Sequence, residues 1–399
     1  MTETADPFVA TAPGERVALY AALAKRGPVQ RFLLPMGKPA WLVTGQAEVR
    51  AALTDPRLVK AAIPMGSELR KERMRAAPGL SRHLLVVDGA DHERLRRLVA
   101  AAFTRRRVEG LAPGIQKTAD SLLGKMSDAP SGPVDLMTSY AYPLPMTVMC
   151  DLLGVPQEFR EDLHLGTKVM ATSLGIPDDE YLPAFDRLPP TLDALVDLKR
   201  RQPADDLITA LIAARDGEDS LTEDELKSMI WLLVAAGHET TVNLIGNGVH
   251  ALLSHPDQLA LLHADPERIP AAVEELLRWC GPLQVTFLHY ATEPVELGGV
   301  RIEAGDLVLP ALLAANRDPG LTPDPEALDV ARPPSHHLAF GHGIHHCLGA
   351  PMARLEARIA FETLLRRFPR LRAAEPLDEL PWAPSFLFHG LVRLPVYVS

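Results

Sequence analysis

Apolar positions recur at intervals of three and four residues through most of the chain. This spacing predicts amphipathic helices over Val17–Lys25, His92–Phe103, Ile115–Met126, Thr191–Arg201, Thr222–Ser254, Ile269–Trp279 and Pro351–Phe368. The longest opens with Thr222 three residues before Glu225, the spacing at which a hydroxyl and a carboxylate cap each other's backbone N–H groups. At roughly 1.5 Å per residue it would run about 48 Å, enough to cross a whole domain. Its middle, Met229–Ala236, is apolar almost all round, as a helix buried on every side should be. Strand-like runs are short. Val29–Leu34 and Ala40–Val43 flank a Pro-Met-Gly-Lys-Pro turn, Val295–Ile302 carries a Gly298-Gly299 hairpin signal, and Asp306–Leu309 follows another turn. The first dozen residues, Met65–Leu84 and Leu165–Pro190 show no recognisable pattern. These elements imply a mainly α fold with a small β-sheet region, a single large domain over residues 1–399 built round a long central helix.

Composition narrows the class. There are 41 Lys+Arg against 51 Asp+Glu, a formal charge of −10, which gives no reason to expect nucleic acid. The longest apolar runs, Met229–Gly237 and Leu307–Ala315, fall far short of the roughly 20 residues of a membrane span. Met1–Thr11 is acidic and lacks the basic and apolar segments of a secretory leader. Cys150, Cys280 and Cys347 are far apart and odd in number, which argues against a disulfide framework. The expectation is a cytoplasmic monomer with no membrane contact. The 36 prolines are scattered as punctuation, and no linker or repeat divides the chain.

Chemistry concentrates in Phe340-Gly341-His342-Gly343-Ile344-His345-His346-Cys347-Leu348-Gly349-Ala350-Pro351. Gly341, Gly343 and Gly349 permit turns that other residues resist, and Pro351 suits the first turn of the helix that follows. Cys347 then sits at the mouth of that helix, where free N–H groups and the helix dipole favour a thiolate and hence a soft-metal ligand. A small buried hydrophobe is the ordinary alternative for a lone cysteine. A zinc site drawn from His336, His337, His342, His345, His346 and Cys347 fits poorly, because zinc sites need separated chelating pairs.

The string closely resembles the haem-binding signature of the cytochrome P450 superfamily, Phe-x-x-Gly-x-x-x-Cys-x-Gly, met at Phe340, Gly343, Cys347 and Gly349. Three further segments are similar to the family's motifs. Ala236-Gly237-His238-Glu239-Thr240-Thr241 matches the oxygen-handling segment of its long helix, Glu275-Leu276-Leu277-Arg278 its Glu-x-x-Arg, and His92…Arg96 its His-x-x-x-Arg. One departure stands out: related bacterial sequences read Arg-x-Ala-x-Glu where this chain has His289-Tyr290-Ala291-Thr292-Glu293, and a histidine is not the fixed cation that arginine is.

The resemblance implies the P450 fold, haem b and O2, with Cys347 as the iron ligand. Phe340, Gly341, Leu348 and Gly349 would form the cofactor loop, and His92, Arg96, His289 and His345 would hold the haem propionates. Thr240 and Glu239 would handle oxygen and relay protons, with Ala236 and Gly237 leaving room for a diatomic ligand. Glu275 and Arg278, joined by Arg332, would be structural. The implied activity is a monooxygenase that hydroxylates or epoxidises a small apolar substrate, such as a macrolide, terpenoid or steroid. Electrons would come from NAD(P)H indirectly, through a ferredoxin and a ferredoxin reductase. Coupling or desaturation without oxygen insertion is the alternative, and a non-enzymatic metal module the remote one. Six arginines and one acid over His92–Arg107 form a basic segment suited to an acidic ferredoxin.

Overall fold

The computed structural model describes residues 6–10, 12, 14–60, 68–100, 103–128, 132–171, 177–215 and 221–398. Met65 and the start of the unpatterned stretch after it lie outside them. So do residues 101–102 of the helix expected to reach Phe103, which runs over Gly89–Ala100.

The central helix spans Glu223–Ser254 and starts as expected: Glu225 N–H donates to Thr222 Oγ1 (3.2 Å) and Thr222 N–H to Glu225 Oε2 (2.8 Å). Arg94 also donates to Glu225 (2.5 Å), which ties the helix start to Gly89–Ala100. The central helix is buried along almost its whole length and packs against Pro143–Leu153, Gln157–Ala171, Ile269–Cys280 and Ala350–Arg367. Glycine makes one of these approaches possible. A Cβ on Gly248 would stand 2.5 Å from Phe361 Cζ, so the helix Ala350–Arg367 lies against bare backbone there.

The β region comprises a five-stranded sheet in the order Val29–Leu33, Pro39–Val43, Leu307–Pro310, His289–Ala291, Leu58–Lys60, with a two-stranded hairpin (Val295–Leu297, Val300–Ile302) and a small three-stranded sheet. All pairs in the large sheet are antiparallel except Pro39–Val43 with Leu307–Pro310. Its last pair sets Lys60 opposite His289, both buried.

Sequence periodicity missed several helices. The helix expected at Thr191–Arg201 runs over Asp178–Arg201 with Pro183, Pro189 and Pro190 inside it. Its buried positions Tyr181, Phe185, Leu188, Leu192 and Leu195 keep a helical stripe through the prolines, so packing outweighs the cost of an interior proline, about 3 kcal/mol. Pro143–Leu153 escaped notice because it is apolar on nearly every face. Among the described residues, no helix is long and apolar enough to cross a membrane.

Glu275 and Arg278 form the expected buried pair (2.7 and 2.8 Å), and Arg332 joins at 3.2 Å from Glu275. Arg278 further donates to the carbonyls of Asn316, Pro325 and Ala327. The cluster thereby clamps the chain that leads into the Phe340 loop.

Candidate active site

A cavity opens between the glycine-rich Cys347 loop and the middle of the central helix. One wall carries Phe340, Gly341, His345, Cys347, Leu348 and Gly349; the facing wall carries Ala236, Gly237, Thr240 and Thr241; His92, Arg96 and Lys60 also line it. Its atom-free space, mouth included, is about 1480 Å³.

The loop owes its shape to its glycines. Gly341 (φ 69°) and Gly343 (φ 71°) occupy the left-handed region, and a Cβ on Gly343 would stand 2.5 Å from the carbonyl oxygen of Leu53. Cys347 N–H donates to Phe340 O (2.9 Å), closing the loop and presenting the thiol to the cavity. The surrounding walls push that thiol up, while the N–H groups of Gly349 and Ala350 and the cations Arg96 and Arg354 pull it down. The net shift of the thiol is upward. A bound metal would have to complete the ionisation.

The basic end of the cavity is a network, not a row of separate contacts. The rings of His92 and His345 lie 4.4 Å apart. His345 Nε2 is 2.7 Å from Asp88 Oδ1, and Asp88 Oδ2 accepts from Lys60 N–H (2.6 Å). Arg96 donates to the carbonyl of His346 (2.9 Å), fastening its helix to the cysteine loop. His289 is buried beside this group in its strand but does not line the cavity. Nδ1 of His92 and Nδ1 of His289 are buried without a hydrogen-bond partner among the described residues. Burial, with the cations nearby, depresses His92 to about 4 and His289 well below the ordinary imidazole range. Burial likewise lowers Lys60 to about 8, against the pull of Asp88. A cluster of depressed bases with orphaned nitrogens is short of negative charge, and the carboxylates of a haem would supply it. The residues present therefore fit the group.

Lys60 and Asp88 were not found from the sequence. Their only signal is strand pairing with His289 and contact with His345, both long-range.

On the facing wall Thr240 Oγ1 donates to the carbonyl of Ala236 (2.7 Å) and Thr241 Oγ1 to that of Gly237 (3.2 Å). Gly237 differs from expectation in part. A Cβ there would stand 2.7 Å from Met149 Sδ, so the missing side chain admits the methionine as well as bordering the cavity. Glu239 is not among the residues lining the cavity and is buried next to His238. The histidines of the loop diverge: His337 contacts Glu274, His345 contacts Asp88, and His342 contacts Arg50. Among the described residues no three His, Cys, Asp or Glu side chains converge on a metal position, which removes the zinc alternative.

Comparison with known proteins agrees. The cytochrome P450 family model matches residues 191–389. The cytochrome P450 monooxygenase PikC of Streptomyces venezuelae is 45% identical, over 94% of this chain and 89% of its own.

The chain belongs to the cytochrome P450 family.

The vitamin D(3) 25-hydroxylase of Pseudonocardia autotrophica is 44% identical over 99% of this chain and 96% of its own. The solved structure of the tirandamycin C-bound P450 monooxygenase TamI superposes with a TM-score of 0.88 at 42% identity, covering 96% of this chain and 98% of that one. The protein is thus an oxidoreductase of the P450 monooxygenase class, and this membership brings haem and O2 with it.

Proposed function

We propose that this protein is one catalytic unit that inserts an oxygen atom into a neutral, largely aliphatic secondary metabolite, with Cys347 as the residue that would ligate the haem iron. The observation that carries the reading is the single cavity with the Cys347 thiol on one wall and the Ala236–Thr241 face on the other. His92, Arg96, Lys60 and His345 would hold the propionates, with His289 supporting from behind. His345 enters that task already hydrogen-bonded to Asp88, so Asp88 fixes its orientation. When bound, haem supplies the oxidising chemistry, and a thiolate ligand favours O–O cleavage.

The chain's own residues then do three things. Leu84, Leu85, Leu232, Leu283, Phe287 and Leu387 line the cavity with apolar surface and offer no charge to a ligand, which favours an aliphatic skeleton such as a macrolide, terpenoid or steroid. Thr240 presents a hydroxyl beside the space left open at Ala236, and Glu239 stands next to it in sequence to hand on protons. Exposed arginines at 105–107 form a basic surface near the cysteine side, suited to an acidic ferredoxin as electron donor. Arg94 is engaged by Glu225, and Arg96 by the carbonyl of His346 and the propionate end of the cavity, so these two are not assigned to the donor surface.

The test is spectroscopic. Reduced protein under CO should show the red-shifted Soret band of thiolate-ligated haem, and Cys347→Ala should lose it. Colourless protein holding stoichiometric zinc would end the proposal. A substrate screen read by the Soret spin-state shift, followed by product mass, then separates oxygen insertion from coupling or desaturation.

A further inference from the structure

His238 precedes Glu239 in the central helix and is fully buried (0% exposed). Its Nε2 lies 3.2 Å from the backbone carbonyl of Tyr142. A carbonyl only accepts, so this nitrogen carries a hydrogen. In a neutral ring Nδ1 is then a bare lone pair, and it stands 3.5 Å from Oε1 of Glu239. Both atoms are buried, and neither has another hydrogen-bond partner among the described residues. Two acceptors facing each other out of water would repel and leave two unsatisfied groups, at about 1–3 kcal/mol each. One proton between them removes both defects. Imidazolium with carboxylate and imidazole with carboxylic acid have the same proton count, so either arrangement satisfies both buried atoms.

The surroundings lead outward from this pair. The Tyr142 ring meets His238 edge-on at 4.3 Å and His164 edge-on at 4.5 Å. His164 is half-buried on the helix Gln157–Ala171, where the exposed Glu161 and Lys168 act on it. The titratable groups facing the pair are therefore the Tyr142 phenol and His164, with Glu161 and Lys168 beyond. Burial and the Glu239 charge both raise the phenol, which stays neutral.

We propose that His238 and Glu239 hold one proton between them, and that His238 is the positioning residue that reloads Glu239 after it passes a proton toward Thr240. Once Glu239 has passed the shared proton on, the pair is left as neutral imidazole and carboxylate. The imidazole first takes a proton from solvent, and the Nδ1–H bond so formed then breaks as an O–H bond forms on Glu239; no electrons change hands. The use of the pair rests on the monooxygenase reading; the sharing itself does not require haem.

The experiment compares the parent, His238→Gln and Glu239→Gln holoenzymes. Gln at 238 keeps an N–H for the Tyr142 carbonyl but has no proton to give. Infrared pH titration between pH 6 and 9, with the Glu239→Gln spectrum subtracted, isolates the Glu239 carboxyl. In His238→Gln the balance of its carboxylic-acid and carboxylate bands should differ from that of the parent. Identical Glu239 signals in the two proteins at every pH would overturn the shared proton. With a substrate found in the screen, His238→Gln should lose about tenfold in coupling of NAD(P)H to product, more as pH rises, with a larger solvent isotope effect. This is less than the ~10²–10⁴ attributed to a direct general acid, because water can replace the histidine slowly. Unchanged coupling and isotope effect at all pH values would overturn the reloading role. Failure of the parent to show the thiolate-haem spectrum would strike the function alone, since the infrared comparison can still be read.

Discussion

Replacing Arg278 with alanine tests whether the cluster behind the cysteine loop is as rigidly coupled as its geometry indicates. Arg278 is 0% exposed and makes five donations: two to Glu275 (2.7 and 2.8 Å) and three to the carbonyls of Asn316, Pro325 and Ala327 (2.8 to 3.1 Å). Truncation leaves the buried Glu275 carboxylate with Arg332 at 3.2 Å and the Asp329 N–H at 3.0 Å. Removing one partner of a buried pair costs about 3–5 kcal/mol. With an unfolding entropy of ~2.1 cal/mol/K per residue, a chain of 399 residues converts this to a fall in Tm of roughly 4–6 °C. The damage should also reach the cofactor. Asn316, whose carbonyl Arg278 holds, accepts the Leu338 N–H (2.6 Å), two residues before Phe340. Scanning calorimetry of the holoenzyme gives the first quantity, and haem transfer to an excess of a haem scavenger gives the second. Arg301→Ala, which breaks an exposed pair with Glu303 (2.8 Å), is the control and should shift neither. If Arg278→Ala melts within 1 °C of the parent and keeps its haem as long, the cluster does not clamp the loop.

Three further outcomes are expected. Thr240→Ala should bind haem and substrate normally, because its hydroxyl bonds only within its own helix, yet release peroxide in place of product; unchanged coupling would exclude Thr240 and turn attention to Thr241. Burial raises the Glu274 carboxyl, but hydrogen bonds from Arg354 and His337 outweigh it and hold it at about 2, so its stabilisation, about 3 kcal/mol, is complete above its unfolded value near 4.5 and lost as pH falls toward 2. The Tm difference between parent and Glu274→Gln should therefore be largest at pH 6–7 and shrink below about pH 4.5; a difference constant from pH 7 to 3 would refute the assignment. Arg106→Glu with Arg107→Glu should slow ferredoxin-driven turnover most at low ionic strength while sparing peroxide-driven turnover; equal slowing of both routes would place these arginines in the fold, and no slowing would move the donor elsewhere.

What could be read from the sequence follows from how local each feature is. The cysteine loop is a run of twelve residues whose glycines are needed for left-handed turns and a close approach to Leu53, so residue types and spacing were enough. The central helix declared itself through its cap and its apolar middle. By contrast, Lys60 and His289 come from three-residue strands far apart in sequence and meet only across the sheet. Asp88 gains its role from His345, 257 positions away. No periodicity encodes such contacts. The helix Asp178–Arg201 was cut short in the sequence reading because its prolines signal a break, and only its packed face shows why it continues.

The glycine at 237 carries the more general lesson. A small residue facing a cavity invites the inference that space is being kept for a ligand, yet the volume a side chain would need at 237 is already filled by Met149. Ala236 and Thr240 are the positions that face open space, so under the proposed function they would set the room for oxygen. Gly237 instead sets how closely the helix Pro143–Leu153 approaches the central helix. That approach also delivers the Tyr142 carbonyl to His238, and with it the tautomer that leaves Nδ1 facing Glu239. The same Ala-Gly-His-Glu-Thr segment therefore serves the cavity through Ala236 and Thr240, and the proton store behind it through His238 and Glu239. The close packing at Gly237 holds the two together.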